Sequence, residues 1–145
     1  MSISTILFVC TGNTCRSPLA EGIAQKWLDD HNCKEWLAVS AGVYATEGAP
    51  TSLETIEALL TKGIVFDGIS LPVTLDMVEA ATAIYCMSTS HLASLENLTD
   101  KAELLDPNGD ISDPIGQDQS VYDALADQME KLISTKLKML TNKGA

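Results

Sequence analysis

Ile6-Leu-Phe-Val-Cys10-Thr-Gly-Asn-Thr-Cys15-Arg16-Ser17-Pro18-Leu19 is the stretch that sets the architecture of the chain. The apolar run from Ile6 to Val9 has the length and composition of a strand buried on both faces. It stops at Cys10, and a short polar loop with one glycine follows. Ser17 and Pro18 read as a helix start, an N-cap hydroxyl before a proline at the first helical position. Strand, tight loop and helix therefore follow one another directly. The loop opens on a cysteine and carries an arginine six positions later.

Such a loop suits an anion. Consecutive N–H groups in a tight loop that ends on a helix N-terminus form a concave phosphate site. Thr11, Gly12, Asn13, Thr14, Cys15 and Ser17 are the candidate phosphate-binding residues, and Arg16 adds a planar fork that matches two phosphate oxygens. Cys10 falls at the floor of this cradle. The thiolate is the nucleophilic form of cysteine. The helix dipole, the loop amides and Arg16 all favour it, and Ser17 is placed to donate a hydrogen bond to the sulfur. The same cradle favours the dianion under attack, as phosphoryl transfer requires. The plainer reading, an inert buried cysteine and an unrelated surface arginine, fits poorly with a Gly-Asn loop between them.

The string Val-Cys10-Thr-Gly-Asn-Thr-Cys-Arg16-Ser17-Pro18 near the N-terminus resembles the phosphate loop of the low-molecular-weight protein-tyrosine phosphatases. A bare Cys-x5-Arg would be a weak signal; the full string is specific. The resemblance covers the whole chain. It implies a four-stranded doubly wound sheet and hydrolysis through a phosphocysteine.

Composition agrees with an enzyme of this kind. The 145 residues suffice for one domain, 1–145, with a sizeable core. A hydrophobic content of 46% marks a folded chain, and a net charge of −11 argues against a nucleic-acid partner. It also means that an anionic substrate is attracted only locally, by Arg16 and the loop. Cys10, Cys15, Cys33 and Cys86 do not form a secreted disulfide framework, since two of them sit in the loop. No signal-peptide or membrane-span pattern is present, so a cytoplasmic enzyme in a reducing compartment is expected. A monomer without metal or cofactor is expected, with phosphorylated proteins as substrates and inorganic phosphate as product.

Periodicity sets the remaining elements. Leu19, Ile23, Trp27 and Leu28 predict a helix from about Pro18 to Asp30. Trp36 to Val39 is a second strand. Leu53, Ile56, Leu59 and Leu60 mark a helix closed by Lys62 and Gly63. Thr74 caps a short helix. Ala83 to Met87 is a buried strand, followed by a helix with Leu92, Leu95 and Leu98 and a short strand near Ala102 to Leu105. Residues 106–119 form a loop, and Val121 to Leu140 the longest helix. Repeated strand–helix alternation with buried strands predicts an α/β fold: a doubly wound four-stranded parallel sheet flanked by helices on both faces. Ligands in such sheets bind beyond the carboxyl ends of the strands, where Cys10 falls. His31 and Cys33 read as structural or exposed, and His91 as a helix-start or surface residue with no assigned role.

A thiolate needs an acid to protonate the leaving group. Asp106, Asp110 and Asp113 are available, and spacing alone does not choose between Asp106-Pro107 and Asp113-Pro114. In the family, the acid lies in an Asp-Pro-x-Gly segment before the last helix, which implies Asp113, later acting as base. The family also implies a protective disulfide between Cys10 and Cys15. Its phosphotyrosine-directed members carry an aliphatic residue where Thr14 stands. Those similar to bacterial protein-arginine phosphatases carry threonine, and Tyr44 also matches the arginine type. Against both types, Ile115 stands where family members usually carry an aromatic after Asp-Pro; this removes a stacking wall for a phenol ring and weakens the arginine match as well. The substrate is thus phosphoarginine or phosphotyrosine. Two alternatives compete. Arsenate reductases of the same fold share the loop but need two further cysteines close together. An inactive anion-binding regulatory module would have kept the loop alone.

Overall fold

The computed structural model describes residues 2–142. Four strands, β1 (Ser4–Cys10), β2 (Trp36–Gly42), β3 (Ala81–Cys86) and β4 (Ala102–Leu104), form one parallel sheet in the order β2-β1-β3-β4. Five helices connect and flank them: α1 (Arg16–Asp30), α2 (Leu53–Leu60), α3 (Leu75–Ala80), α4 (Thr89–Leu95) and α5 (Gln119–Thr141). This is the doubly wound α/β fold expected from the alternation of elements.

The alternation along β1 divides the core in two. Ile6, Phe8 and Cys10 join a cluster with Leu19, Ile23 and Leu28 of α1, Leu59 of α2, and Met129, Ile133 and Leu137 of α5. Leu7 and Val9 point to the opposite face and join Val78 of α3, Ile84 and Cys86 of β3, and Leu95 of α4. Ile6 through Val9 are completely buried, which is why this run lacks the polar alternation of a one-sided strand. Each such side chain contributes about 1.5–3 kcal/mol through burial.

Chain direction then places the loop. From β1 the chain crosses to β2 on one side, and β3 lies on the other, so the strand order reverses at β1. The crevice beyond the carboxyl ends of β1 and β3 is the switch point of the sheet. Cys10 is the last residue of β1 and stands opposite Gly42, the last residue of β2.

Local signals place most boundaries. Ser52 caps α2 by accepting from the Thr55 N–H at 3.2 Å, and Thr74 caps α3 by accepting from that of Met77 at 3.2 Å. Gly63, at φ +78°, ends the α2 segment while the Ile64 N–H returns to the Leu59 carbonyl at 2.9 Å. The start of α1 differs from expectation. Its N-cap is Cys15, with no side-chain cap, and Arg16 is the first helical residue. Ser17 and Pro18 lie inside the first turn. Ser17 is not a cap because its hydroxyl is drawn to Cys10 and Asn13 instead.

Candidate active site

The loop from Cys10 to Arg16 is shaped from outside. The carbonyl oxygens of Cys10, Thr11 and Thr14 accept from the N–H groups of Val43, Tyr44 and Ser52, each at 2.9 Å, and that of Cys15 accepts from Leu19 N–H at 3.1 Å. A loop whose carbonyls are tied outward presents its N–H groups to the concave side. Gly42 makes this approach possible. A Cβ there would stand 3.0 Å from the Asn13 nitrogen and closer still to the Thr11 oxygen.

Asn13 is the hub of the loop. It has φ +56°, a left-handed conformation that asparagine tolerates better than most residues. Its side chain is buried and fully committed: Nδ2 donates to Ser17 Oγ at 2.8 Å and to Ser40 Oγ at 2.9 Å, and Oδ1 accepts from Leu71 N–H at 2.9 Å. Ser40 in turn donates to Glu21 Oε1 at 2.6 Å. Ser17 Oγ lies 2.9 Å from Cys10 Sγ. Opposite a thiolate, the only hydrogen available for that contact is the one on Ser17, so the network aims a donor at the sulfur.

Arg16 is buried and anchored. Its guanidinium donates to the Ile111 carbonyl at 2.9 Å and to Thr11 Oγ1 at 3.4 Å, and lies 3.7 Å from Asp113 Oδ2. Asp113 is half exposed, and its Oδ1 accepts from Ile115 N–H at 3.1 Å. Cys10, Thr11, Gly12, Thr14, Cys15, Arg16, Asp113 and Ile115 line one small cleft. Asp106 and Asp110 are engaged elsewhere. Asp106 accepts from Asn108 N–H at 2.9 Å in a turn, and Asp110 holds the start of α4 through Thr89 N–H at 2.9 Å. Of these three aspartates, Asp113 is the one that lines the cleft. Tyr44 is 87% exposed and is not among the residues of the cleft.

His91 escaped the sequence reading. It is buried in the first turn of α4, where Nδ1 accepts from Ser88 N–H at 3.1 Å, and Nε2 lies 2.9 Å from Thr11 Oγ1. Because Nδ1 accepts, Nε2 carries the hydrogen and donates to Thr11. Thr11 Oγ1 thus receives from both His91 and Arg16, which leaves its own hydrogen to donate elsewhere. Burial, and secondarily the Arg16 charge, lower the His91 pKa to about 4, with Asp110 and Asp113 opposing. The ring is neutral at physiological pH. A signal for it existed: Ser88-x-x-His91 has the spacing of a capping box, with histidine in place of Glu or Gln.

The four cysteines are free and buried. Cys15 Sγ lies 3.6 Å from the Tyr122 hydroxyl. Burial pushes the Cys86 thiol up to about 12. Cys33 and Cys86 belong to the cores on opposite faces of the sheet, an arrangement unlike a disulfide relay. His31 stacks on Trp27, with ring centroids 3.8 Å apart, in a structural role.

Comparison with known proteins gives a consistent answer. The family model for low molecular weight phosphotyrosine protein phosphatase matches residues 5–145. The protein-arginine-phosphatase of Bacillus subtilis (strain 168) is 32% identical over 147 aligned positions, covering 93% of this chain and 95% of that protein. The protein-arginine-phosphatase of Geobacillus stearothermophilus is 36% identical over 138, covering 88% and 90%. Among solved structures, the YwlE arginine phosphatase mutant with a phosphorylated active-site serine superposes with a TM-score of 0.90 at 30% identity, covering 94% of this chain and 95% of that one. The family match takes in all five helices and nearly all of the sheet, and the chain belongs to the low molecular weight phosphotyrosine protein phosphatase family.

Proposed function

We propose that this phosphatase removes the phosphoryl group from phosphoarginine in proteins, with Cys10 as nucleophile, Arg16 as phosphate clamp and Asp113 as acid and then base. The observation that carries the chemistry is the contact of Cys10 Sγ with Ser17 Oγ at 2.9 Å, at the floor of a cleft walled by Arg16 and Asp113. In the first step the sulfur attacks phosphorus and the phosphorus–nitrogen bond breaks. Asp113 transfers its proton to the departing guanidine nitrogen, which leaves as guanidinium. In the second step a water attacks the phosphocysteine and gives its proton to Asp113. The sulfur–phosphorus bond breaks, and inorganic phosphate and the thiolate are released. The loop amides and Arg16 hold the equatorial oxygens through both steps, and Thr11, held by His91, donates its hydroxyl to one of them.

Two observations support the substrate. Thr14 lines the cleft and sets a hydroxyl where a guanidinium has N–H groups to be met. Curated relatives of nearly full length at 32% and 36% identity are protein-arginine-phosphatases. Tyr44, exposed beside the loop, meets the protein part of the substrate. The enzyme works as a monomeric single domain in the cytoplasm, and Cys15 protects the nucleophile by disulfide formation on oxidation. The test compares kcat/KM on phosphoarginine and phosphotyrosine peptides of one sequence. Phosphoarginine should lead by at least roughly tenfold, about 1.4 kcal/mol of transition-state binding, and Thr14→Ile should shrink that lead. A wild-type preference for phosphotyrosine would overturn the assignment.

A further inference from the structure

Behind the phosphate loop lies a cavity of about 260 Å³ between α1, the end of β2 and residues 66–77. Val39, Phe66, Leu71 and Met77 give it apolar walls, and Glu21 and Ser40 give it polar groups. Ser40 is committed to Asn13 and Glu21, and the nearby Thr51 hydroxyl to the Gly68 carbonyl at 3.1 Å. Among the described residues, the second carboxylate oxygen of Glu21 takes no hydrogen bond, and Glu21 lines the cavity. Among the described residues Glu21 makes no ion pair. Burial raises its pKa and the Ser40 hydroxyl only partly offsets this. A carboxylate set against apolar walls favours a cation, whose charge compensates its desolvation.

We propose that this cavity is a second ligand site, distinct from the catalytic cleft, for a small cation on an apolar stem: an alkylguanidinium or alkylammonium whose head sits on Glu21 and whose stem lies along Phe66 and Met77. Glu21 and Phe66 also border an adjoining open groove of about 370 Å³, which gives the ligand a way in. The site is wired to the nucleophile. Four hydrogen bonds, Glu21–Ser40 at 2.6 Å, Ser40–Asn13 at 2.9 Å, Asn13–Ser17 at 2.8 Å and Ser17–Cys10 at 2.9 Å, lead from the carboxylate to the sulfur. An occupant that draws on the Glu21 carboxylate changes what Ser40 feels, and Ser40 shares the Asn13 amide with the catalytic loop.

The test is an NMR titration of the full chain, saturated with inorganic phosphate to cover the catalytic cleft. n-Butylguanidinium is the probe and n-butylurea its neutral isostere. The Met77 methyl and the Asn13 side-chain amide should shift with butylguanidinium, and butylurea should shift them at least tenfold less at equal concentration. Glu21→Gln, which keeps an acceptor for Ser40, should abolish the response to butylguanidinium. Equal shifts with butylurea, or shifts confined to Asp113 and Ile115, would overturn the proposal. A shifted Met77 with an unmoved Asn13 amide would overturn the connection to the loop. None of these readouts depends on turnover, so they stand or fall apart from the choice of substrate.

Discussion

Asn13 within the loop and His91 through Thr11 both hold its shape, and each gives a sharp expectation. Asn13→Ala removes two donors and one acceptor from buried partners and puts a less tolerant residue at φ +56°. It should cost about 2–4 kcal/mol in denaturant unfolding. His91→Gln keeps an acceptor for the Ser88 N–H and removes the reach to Thr11. Stability near neutral pH should change little, whereas kcat should fall roughly tenfold, about the effect of one misplaced donor. The pH dependence separates the two roles. Folding lowers the His91 pKa to about 4, so the unfolded chain takes up the proton first as pH falls. Stability should therefore decline from about pH 6.5 towards pH 4, at up to about 1.4 kcal/mol per pH unit from this group. Chemical denaturation across that range should show this component in the wild type and its loss in His91→Gln. The sequence exposed Cys10, Arg16 and the loop between them because they are contiguous. His91 was hidden because its partner lies 80 positions away, and because a Ser-x-x-His helix start looks like any other.

The elements were legible where burial imposes a pattern. Ile6 to Val9 and Ala83 to Met87 read as buried strands because they are covered on both faces, although β3 runs Ala81–Cys86 and Met87 lies just past its end, and Thr74 read as a cap because its hydroxyl meets a first-turn N–H. The start of α1 was misjudged for a physical reason: the Ser17 hydroxyl that would cap it meets the Cys10 sulfur and the Asn13 amide. Long-range contacts between elements were also out of reach of pattern. Lys101 is the clearest case. Its ammonium donates to the carbonyls of Val78, Glu79 and Ala81 at 3.0, 3.3 and 2.6 Å, tying the end of α3 and the start of β3 to the chain before β4. Lys101→Met keeps the stem and removes the donors. It should destabilise the fold by about 1–3 kcal/mol, read as a lower urea midpoint, with kcat unchanged because no catalytic group is touched.

Across the whole molecule, the net charge of −11 surrounds a cleft whose attraction for phosphate is local. Peptides with basic flanks should be turned over faster than acidic ones at low ionic strength, and the gap should close as salt shortens the Debye length to about 8 Å. A preference for acidic flanks would contradict this. The central claim concerns a covalent bond and is tested on the intact chain. Asp113→Asn lacks the acid of the first step and the base of the second, so the substrate is an aryl phosphate whose phenolate leaves without a proton; the first step then proceeds, the second stalls, and rapid quenching during turnover should trap a phosphoenzyme. Mass spectrometry should then show one added phosphoryl group, located by fragmentation on the sulfur of Cys10. A variant that turns over substrate with no phosphoenzyme, or with the phosphoryl group on any other residue, would contradict the account.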